Sequence, residues 1–226
     1  WAKRHPILQT RKMECQPYME WLSGQTHYGK GKRNTYERIA KNQTRGLNMK
    51  KLHYNCFTKR GEVNVSKDTD RMCDHVARFI CAPSDDMLGW PVWAASQVLN
   101  AVKRDFDSFV HGCNASTLAE RFQKAAGNIF DCVSISLDGS RHDSHQDAEI
   151  IRAVTGTIWN EMTQHLYAEG LNDDVRNWIR TVNTNVNNKI RGYVGPPTKT
   201  NLLFEAVVSG TTTSGNAAQT TLGNTL

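Results

Sequence analysis

The chain has 226 residues, which suffices for one large domain or two small ones, and its 38% hydrophobic content with mixed charge indicates a folded protein with a buried core. No apolar run approaches the roughly 18 residues that a membrane span requires, and no secretory leader is recognisable. The six scattered cysteines include no Cys-x-x-Cys pair, which argues against a structural zinc site and a disulfide framework and predicts reduced thiols in a cytosolic protein.

Positive charge is concentrated near the start of the sequence. The net charge is +6 and the sequence pI is about 9.0. Half of the 28 Lys and Arg residues lie before residue 61, where only three glutamates oppose them. A one-sided basic segment predicts a polyanionic partner, for which nucleic acid fits best. A solvated basic face is the competing interpretation.

Three helices are predicted in the N-terminal half. Residues 28–42 pass from a Gly/Lys loop into a short helix, residues 91–109 form a longer helix, and residues 116–126 form a third, capped by Asn114 or Ser116. Apolar residues at helical spacing are expected to pack in the core. They are Tyr36, Ile39 and Ala40 in the first helix and Trp90, Val92, Trp93, Ala95, Val98, Leu99 and Val102 in the second.

A predicted strand at 53–62 ends in charged residues, and a polar loop at 67–74 separates it from Arg78. Residues 81–86 are interpreted as a loop that begins the next helix. An arginine guanidinium presents a rigid fork of donors suited to phosphate oxygens and stays charged at all relevant pH. Arg78 is therefore a candidate phosphate-binding residue, and an ordinary arginine at a strand edge is the competing interpretation.

Two aspartates follow the apolar strand predicted at 133–137. The strand delivers Asp138, and a Gly-Ser turn brings Asp143 back over the same opening. Carboxylate oxygens at such a position suit magnesium. On these residues alone, a helix N-cap and a solvated turn are the simpler interpretation, because Asp143 precedes a helical pattern.

Residues 146–167 predict an amphipathic helix. Its inward face is expected to hold Ile150, Ile151, Val154, Ile158, Met162 and Leu166. A β-hairpin is predicted further on, with strands at 189–194 and 201–208 joined by residues 195–198. The polar run at 183–188 that precedes it is expected to be a solvated loop.

One segment after the predicted strand resembles motif A of viral RNA-dependent RNA polymerases, in particular of the tombusvirus-like group. Residues 136–146 read S-L-D-G-S-R-H-D-S-H-Q, and the group has roughly L-D-A-S-R-F-D-Q-H. The positions that match are Asp138, Ser140, Arg141, Asp143 and His145. Gly139 replaces the usual alanine, and His142 replaces the usual aromatic residue.

The predicted strand at 53–62 resembles the element that opens polymerase motif F. Lys59 and Glu62 occupy its matching positions. Arg78 stands at the Arg-x-Ile step that closes the motif, although Ala77 replaces the proline that usually precedes it.

The Gly-Ser-Thr run at 209–226 is compatible with a flexible linker, but its end resembles motif B, whose core is S-G-x-x-x-T-x-x-x-N. Thr220 and Asn224 have the correct spacing. The leading pair is Ser214-Gly215, with one extra residue before Thr220, or Ser209-Gly210, with a longer insertion. Asn216 stands where relatives often have aspartate.

The resemblance implies an α+β chain with the right-hand polymerase fold, comprising the fingers and part of the palm. The fingers would occupy residues 1–128, with motif F at about 57–83, and the palm would occupy residues 129–168 with motif A. Residues 169–208 would be a fingers insertion that carries the hairpin. Residues 209–226 would be the truncated start of palm motif B.

The implied reaction is RNA-templated transfer of a nucleotide from a nucleoside triphosphate to an RNA 3′-hydroxyl. By resemblance, Asp138 is the catalytic ligand of Mg²⁺, with Mn²⁺ as an alternative. Asp143 would recognise the ribose 2′-hydroxyl, and Asn224 would bond to Asp143 or to the sugar. Thr220 is also expected to bind the nucleotide, and Arg78 with Lys59 would bind the triphosphate. The residues expected to contact RNA are Ser214, Gly215, Lys32 and Arg33.

The implied partners are the RNA template, the nascent strand, nucleoside triphosphates and other segments of a viral replicase. The implied location is the host cytoplasm, at membrane-associated replication sites reached through regions outside this chain.

The sequence contains no Gly-Asp-Asp, the motif C turn that supplies the second metal carboxylate in the family. Because the chain starts without Met and stops within an apparent helix start, we interpret it as a fragment without motif C and thumb, and we expect it to be inactive alone. The alternatives are a non-catalytic RNA-binding domain with a degenerate polymerase fold and a metal-dependent phosphohydrolase that uses Asp138 and Asp143. Neither explains Thr220 and Asn224 at motif B spacing.

Overall fold

The computed structural model describes residues 13–46, 48, 51–58, 79–106, 109–110, 112–127, 146–193, 198, 200–211, 213 and 216. These residues form a mixed α+β structure, as predicted. The helices are α1 (Tyr18–Gly24), α2 (Lys30–Gln43), α3 (Trp90–Asp105), α4 (Ala115–Ala126), α5 (Ala148–Ile151), α6 (Thr157–His165) and α7 (Asp173–Asn183). The strands are β1 (Met13–Glu14), β2 (Tyr54–Thr58), β3 (Phe79–Pro83), β4 (Leu166–Tyr167), β5 (Asn187–Tyr193) and β6 (Leu202–Ser209). None of the described helices is long and apolar enough to cross a membrane.

Aromatic and aliphatic side chains join α1, α2, α3, α6 and α7 into one core. Helix α3 lies deepest, with Trp93, Ala94 and Val98 fully buried. The core predicted for this helix is confirmed, since its remaining apolar residues are buried or packed against the same cluster. The helix ends at Asp105, earlier than predicted, because Phe106 has an extended backbone.

The side chain of Gln43 connects the end of α2 to the start of α3. Its amide nitrogen donates to the carbonyl oxygens of Asp86 and Leu88, each at 2.9 Å, and its amide oxygen accepts from the Trp90 N–H at 3.0 Å. Gly89 has a φ of +68°, and a Cβ there would lie 2.7 Å from the Gln43 amide oxygen. A buried amide with three hydrogen bonds thus fixes how the two helices meet.

Helix α7 links the helical core to the sheet. The Asn172 carboxamide accepts from the Val175 N–H at 2.9 Å and caps the helix, and two aspartates in the first turn complement its dipole. Val175 and Ile179 pack in the helical core. On the same helix, Trp178 and Val182 pack under the sheet in a second cluster with Leu52, Tyr54 and Met87.

The four-stranded sheet has the order β3-β2-β5-β6. Strands β2 and β3 are antiparallel, β2 and β5 are parallel, and β5 and β6 are antiparallel. The parallel pairing requires a crossover, which contains helices α3 to α7 among the described elements. The hairpin β5–β6 confirms the predicted strands to within two residues.

The predicted loop at 81–86 is wrong in its first half. Cys81 to Pro83 continue β3 and pair with Tyr54 to Cys56 of β2. Only Asp85–Met87 form a short 3-10 turn before α3. Helix α4 is confirmed, and Asn114 is its cap, because its side chain accepts from the Thr117 N–H at 2.8 Å.

The predicted helix at 146–167 is interrupted by a π-helical turn at Arg152–Gly156. Two residues of the predicted inward face, Ile150 and Val154, are 42% and 37% exposed, so the prediction is wrong there. A π turn takes up an extra residue and rotates the following helix, so that Thr155 and Gly156 are buried in place of Val154. The other four predicted residues of this face are buried.

The predicted solvated loop at 183–188 is also wrong at both ends. Asn183 is the last residue of α7 and is 2% exposed, and Asn188 lies in β5 with no exposed surface. Both asparagines are therefore buried, although they lie in a polar run of the sequence.

Candidate functional site

Most residues that the polymerase resemblance singles out lie outside the described residues. They are Asp138, Asp143, Thr220, Asn224, Arg78, Lys59, Ser214 and Gly215. Lys32 and Arg33 are described, and so are the segments that border all three motifs. The structure therefore describes the segments on either side of these residues.

Lys59 and Arg78, the residues that resemble parts of motif F, are flanked by the facing ends of β2 and β3. Thr58 pairs with Phe79, so the chain leaves the sheet and returns to it at directly opposed positions. Lys59 follows Thr58 in the sequence and Arg78 precedes Phe79. Each is therefore covalently attached to the same end of one strand pair.

The segment that leads to motif B is fastened to the sheet by hydrogen bonds. The Gly210 N–H donates to the Val186 carbonyl at 2.9 Å, and the Asn188 side chain donates to the Thr211 carbonyl at 2.7 Å. Further along, the Asn216 side-chain nitrogen donates to the Tyr54 hydroxyl at 3.1 Å. This last bond joins the motif B segment to the first residue of β2.

Gly210 also lies against the start of the helix that follows motif A. It has a φ of +70°, and a Cβ there would lie 2.6 Å from the Ala148 nitrogen and 3.1–3.2 Å from the Asp147 backbone. Asp147 caps this helix, because its carboxylate accepts from the Ile150 N–H at 2.8 Å. Only glycine allows the two backbones to approach so closely.

Three segments that flank the stretches resembling motifs F, A and B thus meet in one region. They are β2, the Asp147–Ala148 step, and the described residues from Gly210 to Asn216. These segments are far apart in the sequence, so the fold brings them together.

Tyr54 is the buried centre of this junction. Its side chain is 1% exposed and lies in the cluster beneath the sheet. Burial raises the pKa of its hydroxyl, against the opposing influence of hydrogen bonds with Thr213 and Asn216. The hydroxyl is therefore neutral at physiological pH and serves as a structural hydrogen-bonding group.

Sequence reasoning missed Tyr54 and Asn188. The alternation of Tyr54 and Cys56 in the predicted strand is a usable signal for a buried face. No comparable signal exists for Asn188, because a buried asparagine in a polar run looks like its exposed neighbours.

Lys32 and Arg33 lie in the first turn of α2, which begins at Lys30. The Lys32 ammonium lies 3.9 Å from the centroid of the Tyr28 ring and 5.9 Å from that of Tyr36. A cation held over aromatic rings near a helix N-terminus adds to the positive potential there. The turn therefore presents a basic surface, whereas Lys41 later in the helix is paired with Glu37 at 2.6 Å.

A second cluster of charged side chains lies on the other face of the sheet from the Tyr54 side chain. Glu205 pairs with Lys189 at 2.6 Å and with Arg191 at 2.7 Å, and hydrogen bonds from both lower the pKa of its carboxyl. The Nε2 atom of His53 lies 3.5 Å from the Nη1 atom of Arg191. Burial is the main cause that lowers the pKa of the His53 imidazole, and the positive charge of Arg191 lowers it further. His53 is therefore mostly neutral at pH 7, and the cations outnumber the carboxylate.

Among the described residues, no group of three His, Cys, Asp or Glu side chains is placed to hold a metal ion. The predicted magnesium ligand Asp138 lies outside them. The expectation that this chain binds a metal ion therefore rests on the carboxylates that the sequence provides.

Comparison with protein-family models and with curated proteins gives no match. The resemblance to viral polymerases therefore rests on the motif residues themselves.

Proposed function

We propose that this chain forms the fingers and the start of the palm of a right-hand RNA-dependent RNA polymerase, and that it takes part in RNA-templated RNA synthesis. The proposal is supported by three motifs in the family's order along the sequence. It is supported further by the described segments that border them.

The observation that carries the proposal is the junction around Tyr54. In a polymerase, the residues that bind the triphosphate, the metal and the ribose all act on one nucleotide, so their supporting segments must be neighbours. The Asn216–Tyr54 hydrogen bond connects the segment that resembles motif B to the first residue of β2, the strand whose other end precedes Lys59. The close contact of Gly210 with Asp147 and Ala148 connects the borders of motifs B and A.

The proposed roles follow from side-chain chemistry. Arg78 and Lys59 neutralise the triphosphate, and Asp143 and Asn224 accept from and donate to the ribose 2′-hydroxyl, which distinguishes RNA from DNA precursors. The Asp138 carboxylate holds Mg²⁺, which in two-metal sites stabilises the attacking and leaving oxygens of the phosphoryl transfer. Lys32 and Arg33 contribute sequence-independent attraction to the RNA backbone.

The first test of the proposal reads the source RNA past the codon for Leu226. We expect a Gly-Asp-Asp between two apolar strands downstream, because two metals require a second set of carboxylates. An open frame that continues without such an acidic turn would contradict the proposal and favour the RNA-binding alternative.

The second test measures primer extension by the polypeptide that includes the downstream segment. Asp138→Ala should reduce synthesis to background and leave RNA affinity unchanged. Asp174→Ala, which removes an exposed carboxylate from the first turn of α7, is the matched control and should retain synthesis.

The basic first turn of α2 also favours a second candidate, the non-catalytic RNA-binding domain. The two functions differ in the primer-extension assay. Suppose that the chain binds RNA, and that synthesis is equal in the wild type and Asp138→Ala or is absent from both. This result would support the RNA-binding domain and contradict the polymerase.

A further inference from the structure

Two cysteines that are remote in the sequence face each other in the sheet. Cys56 of β2 and Cys81 of β3 are directly opposed in the antiparallel register, and their Sγ atoms lie 3.0 Å apart. A disulfide bond is about 2.0 Å long and needs Cβ atoms about 3.5–4.5 Å apart. Opposed residues of antiparallel strands have Cβ atoms about 4.5–5.5 Å apart, so bond formation requires only a small shift.

The two thiols differ in accessibility. Cys56 is 4% exposed, whereas Cys81 is half-buried and packs at the margin of the cluster beneath the sheet. An oxidant from solvent therefore reaches Cys81 first, and Cys56 is held beside it as the resolving thiol.

The other described cysteines lack this arrangement. Cys15 lies between β1 and α1, where its thiol donates to the Met13 carbonyl at 3.3 Å, and Cys113 lies just before α4. Both are half-buried thiols. In the part of the chain that the structure describes, the β2–β3 pair is thus the one with its sulfur atoms in contact.

We propose that Cys56 and Cys81 are a modification site at which a peroxide oxidant forms an intramolecular disulfide between β2 and β3. The Cys81 sulfur attacks a peroxide oxygen, which breaks the O–O bond and gives a sulfenic acid and one water when hydrogen peroxide is the oxidant. The Cys56 sulfur then attacks the Cys81 sulfur and expels the second water. The two thiols lose two electrons and two protons in total, and the peroxide is reduced to two waters.

The disulfide closes a ring that contains residues 59–78. This proposal stands on the geometry of β2 and β3 and is independent of the polymerase assignment. If that assignment also holds, the ring contains Lys59 and Arg78, and oxidation restricts the segment expected to bind the triphosphate.

The experiment treats the 226-residue chain with a small excess of hydrogen peroxide at low protein concentration. Thiols are then counted with a chromogenic disulfide after denaturation, and the chain is analysed by intact mass and non-reducing peptide mapping. We expect the thiol count to fall from six to four, with a loss of two hydrogens in mass, and reversal by dithiothreitol. The map should show one cross-link, between the peptides of Cys56 and Cys81.

Four variants complete the test. Cys81→Ser and Cys56→Ser should each abolish the cross-link, and circular dichroism establishes that each variant is folded. Cys81→Ser is the decisive variant. The Cys81 side chain is half-exposed, so its replacement changes the packing less than replacement of Cys56 does, and the variant is expected to fold. Cys15→Ser and Cys113→Ser are matched controls and should retain the cross-link.

A cross-link that involves other cysteines, a disulfide between two chains, or accumulation of sulfinic acid on Cys81 without a Cys56 cross-link would each overturn the proposal. Failure of the polymerase tests would leave the disulfide proposal intact, because thiol counts and peptide maps need no activity.

Discussion

At the scale of single residues, Gly210 shows how one position connects two segments that are remote in the sequence. Its φ of +70° places it in a region that residues with a Cβ rarely adopt, and its Cα lies against the backbone of Asp147 and Ala148. The sequence offers Gly210 only as one of two candidate leading glycines for motif B. Its contact with the cap of α5 depends on atoms 62 residues away and has no sequence signal.

We expect Gly210→Ala to destabilise the protein by two separable effects, backbone strain and a clash. The matched control is Gly127→Ala, because Gly127 has a φ of +62° but open space where a Cβ would lie. Strain alone should cost about 1 kcal/mol at Gly127, and strain plus clash should cost about 2–4 kcal/mol at Gly210. Urea denaturation measures both, and equal losses would mean that the Gly210 contact is absent in solution.

Cys56 gives a prediction for the dependence of stability on pH. Burial, followed by the hydrogen bond with Cys81, raises the pKa of the Cys56 thiol from 9.0 to about 12. Between these values the unfolded chain has lost a proton that the folded chain retains, so unfolding becomes more favourable as pH rises. Stability from this group is complete below pH 9 and is lost as pH approaches 12.

The measurement is the melting temperature of the reduced protein from pH 7 to pH 11. We expect the melting temperature to fall more steeply above pH 9 in the wild type than in Cys56→Ala. The melting temperature of both proteins should still fall, because the pKa of the buried Tyr54 hydroxyl is also raised. Identical slopes in the two proteins would show that Cys56 titrates normally.

At the scale of secondary structure, the sequence predicted elements well where one periodicity holds throughout. Alternation located the hairpin β5–β6, and the 3.6-residue period located α3 with its buried tryptophans. The prediction failed at 146–167, because a single period cannot represent the π turn at Arg152–Gly156. It failed at Cys81 to Pro83, because the partner strand β2 supplies pairing that local propensity does not encode.

The orientation of α5, the helix before the π turn, can be tested with two adjacent isoleucines. Ile151 is 2% exposed and Ile150 is 42% exposed, although the sequence pattern places both inward. Ile151→Ala should cost about 2–5 kcal/mol, and Ile150→Ala should cost less than about 1 kcal/mol. Chemical denaturation gives both values, and similar losses at the two positions would contradict the orientation of α5, with Ile151 buried and Ile150 exposed.

At the scale of the whole molecule, the sequence identified mixed α+β content and a concentration of positive charge, and it could not identify how the sheet is assembled. The order β3-β2-β5-β6 depends on a long-range pairing of β2 with β5, which leaves no local pattern. For the candidate site, the motif residues could be proposed from their spacing. The junction of Tyr54, Asn188 and Asn216 required the folded chain.

The basic charge predicts RNA affinity that falls with salt. Replacing both Lys32 and Arg33 by alanine should weaken binding of single-stranded RNA and reduce the slope of log K against log salt by about 1.4, since each phosphate contact contributes about 0.7. The matched control replaces Lys124 and Arg152, which are exposed cations on other helices, by alanine. Fluorescence anisotropy at several salt concentrations measures both slopes, and equal reductions in the two proteins would mean that only net charge matters.

The parallel pairing of β2 with β5 has a consequence for how the protein is made. Tyr54 pairs with Ile190, and a ribosome that adds about 5–20 residues per second needs about 7–27 s to synthesise the chain between them. An isolated two-stranded hairpin is only marginally stable in water, so β2 and β3 gain their support when β5 emerges. The apolar underside of β2 and β3 packs on Trp178 and Val182 of α7, which are synthesised shortly before β5. A nascent chain stalled before α7 therefore presents that surface to chaperones and proteases.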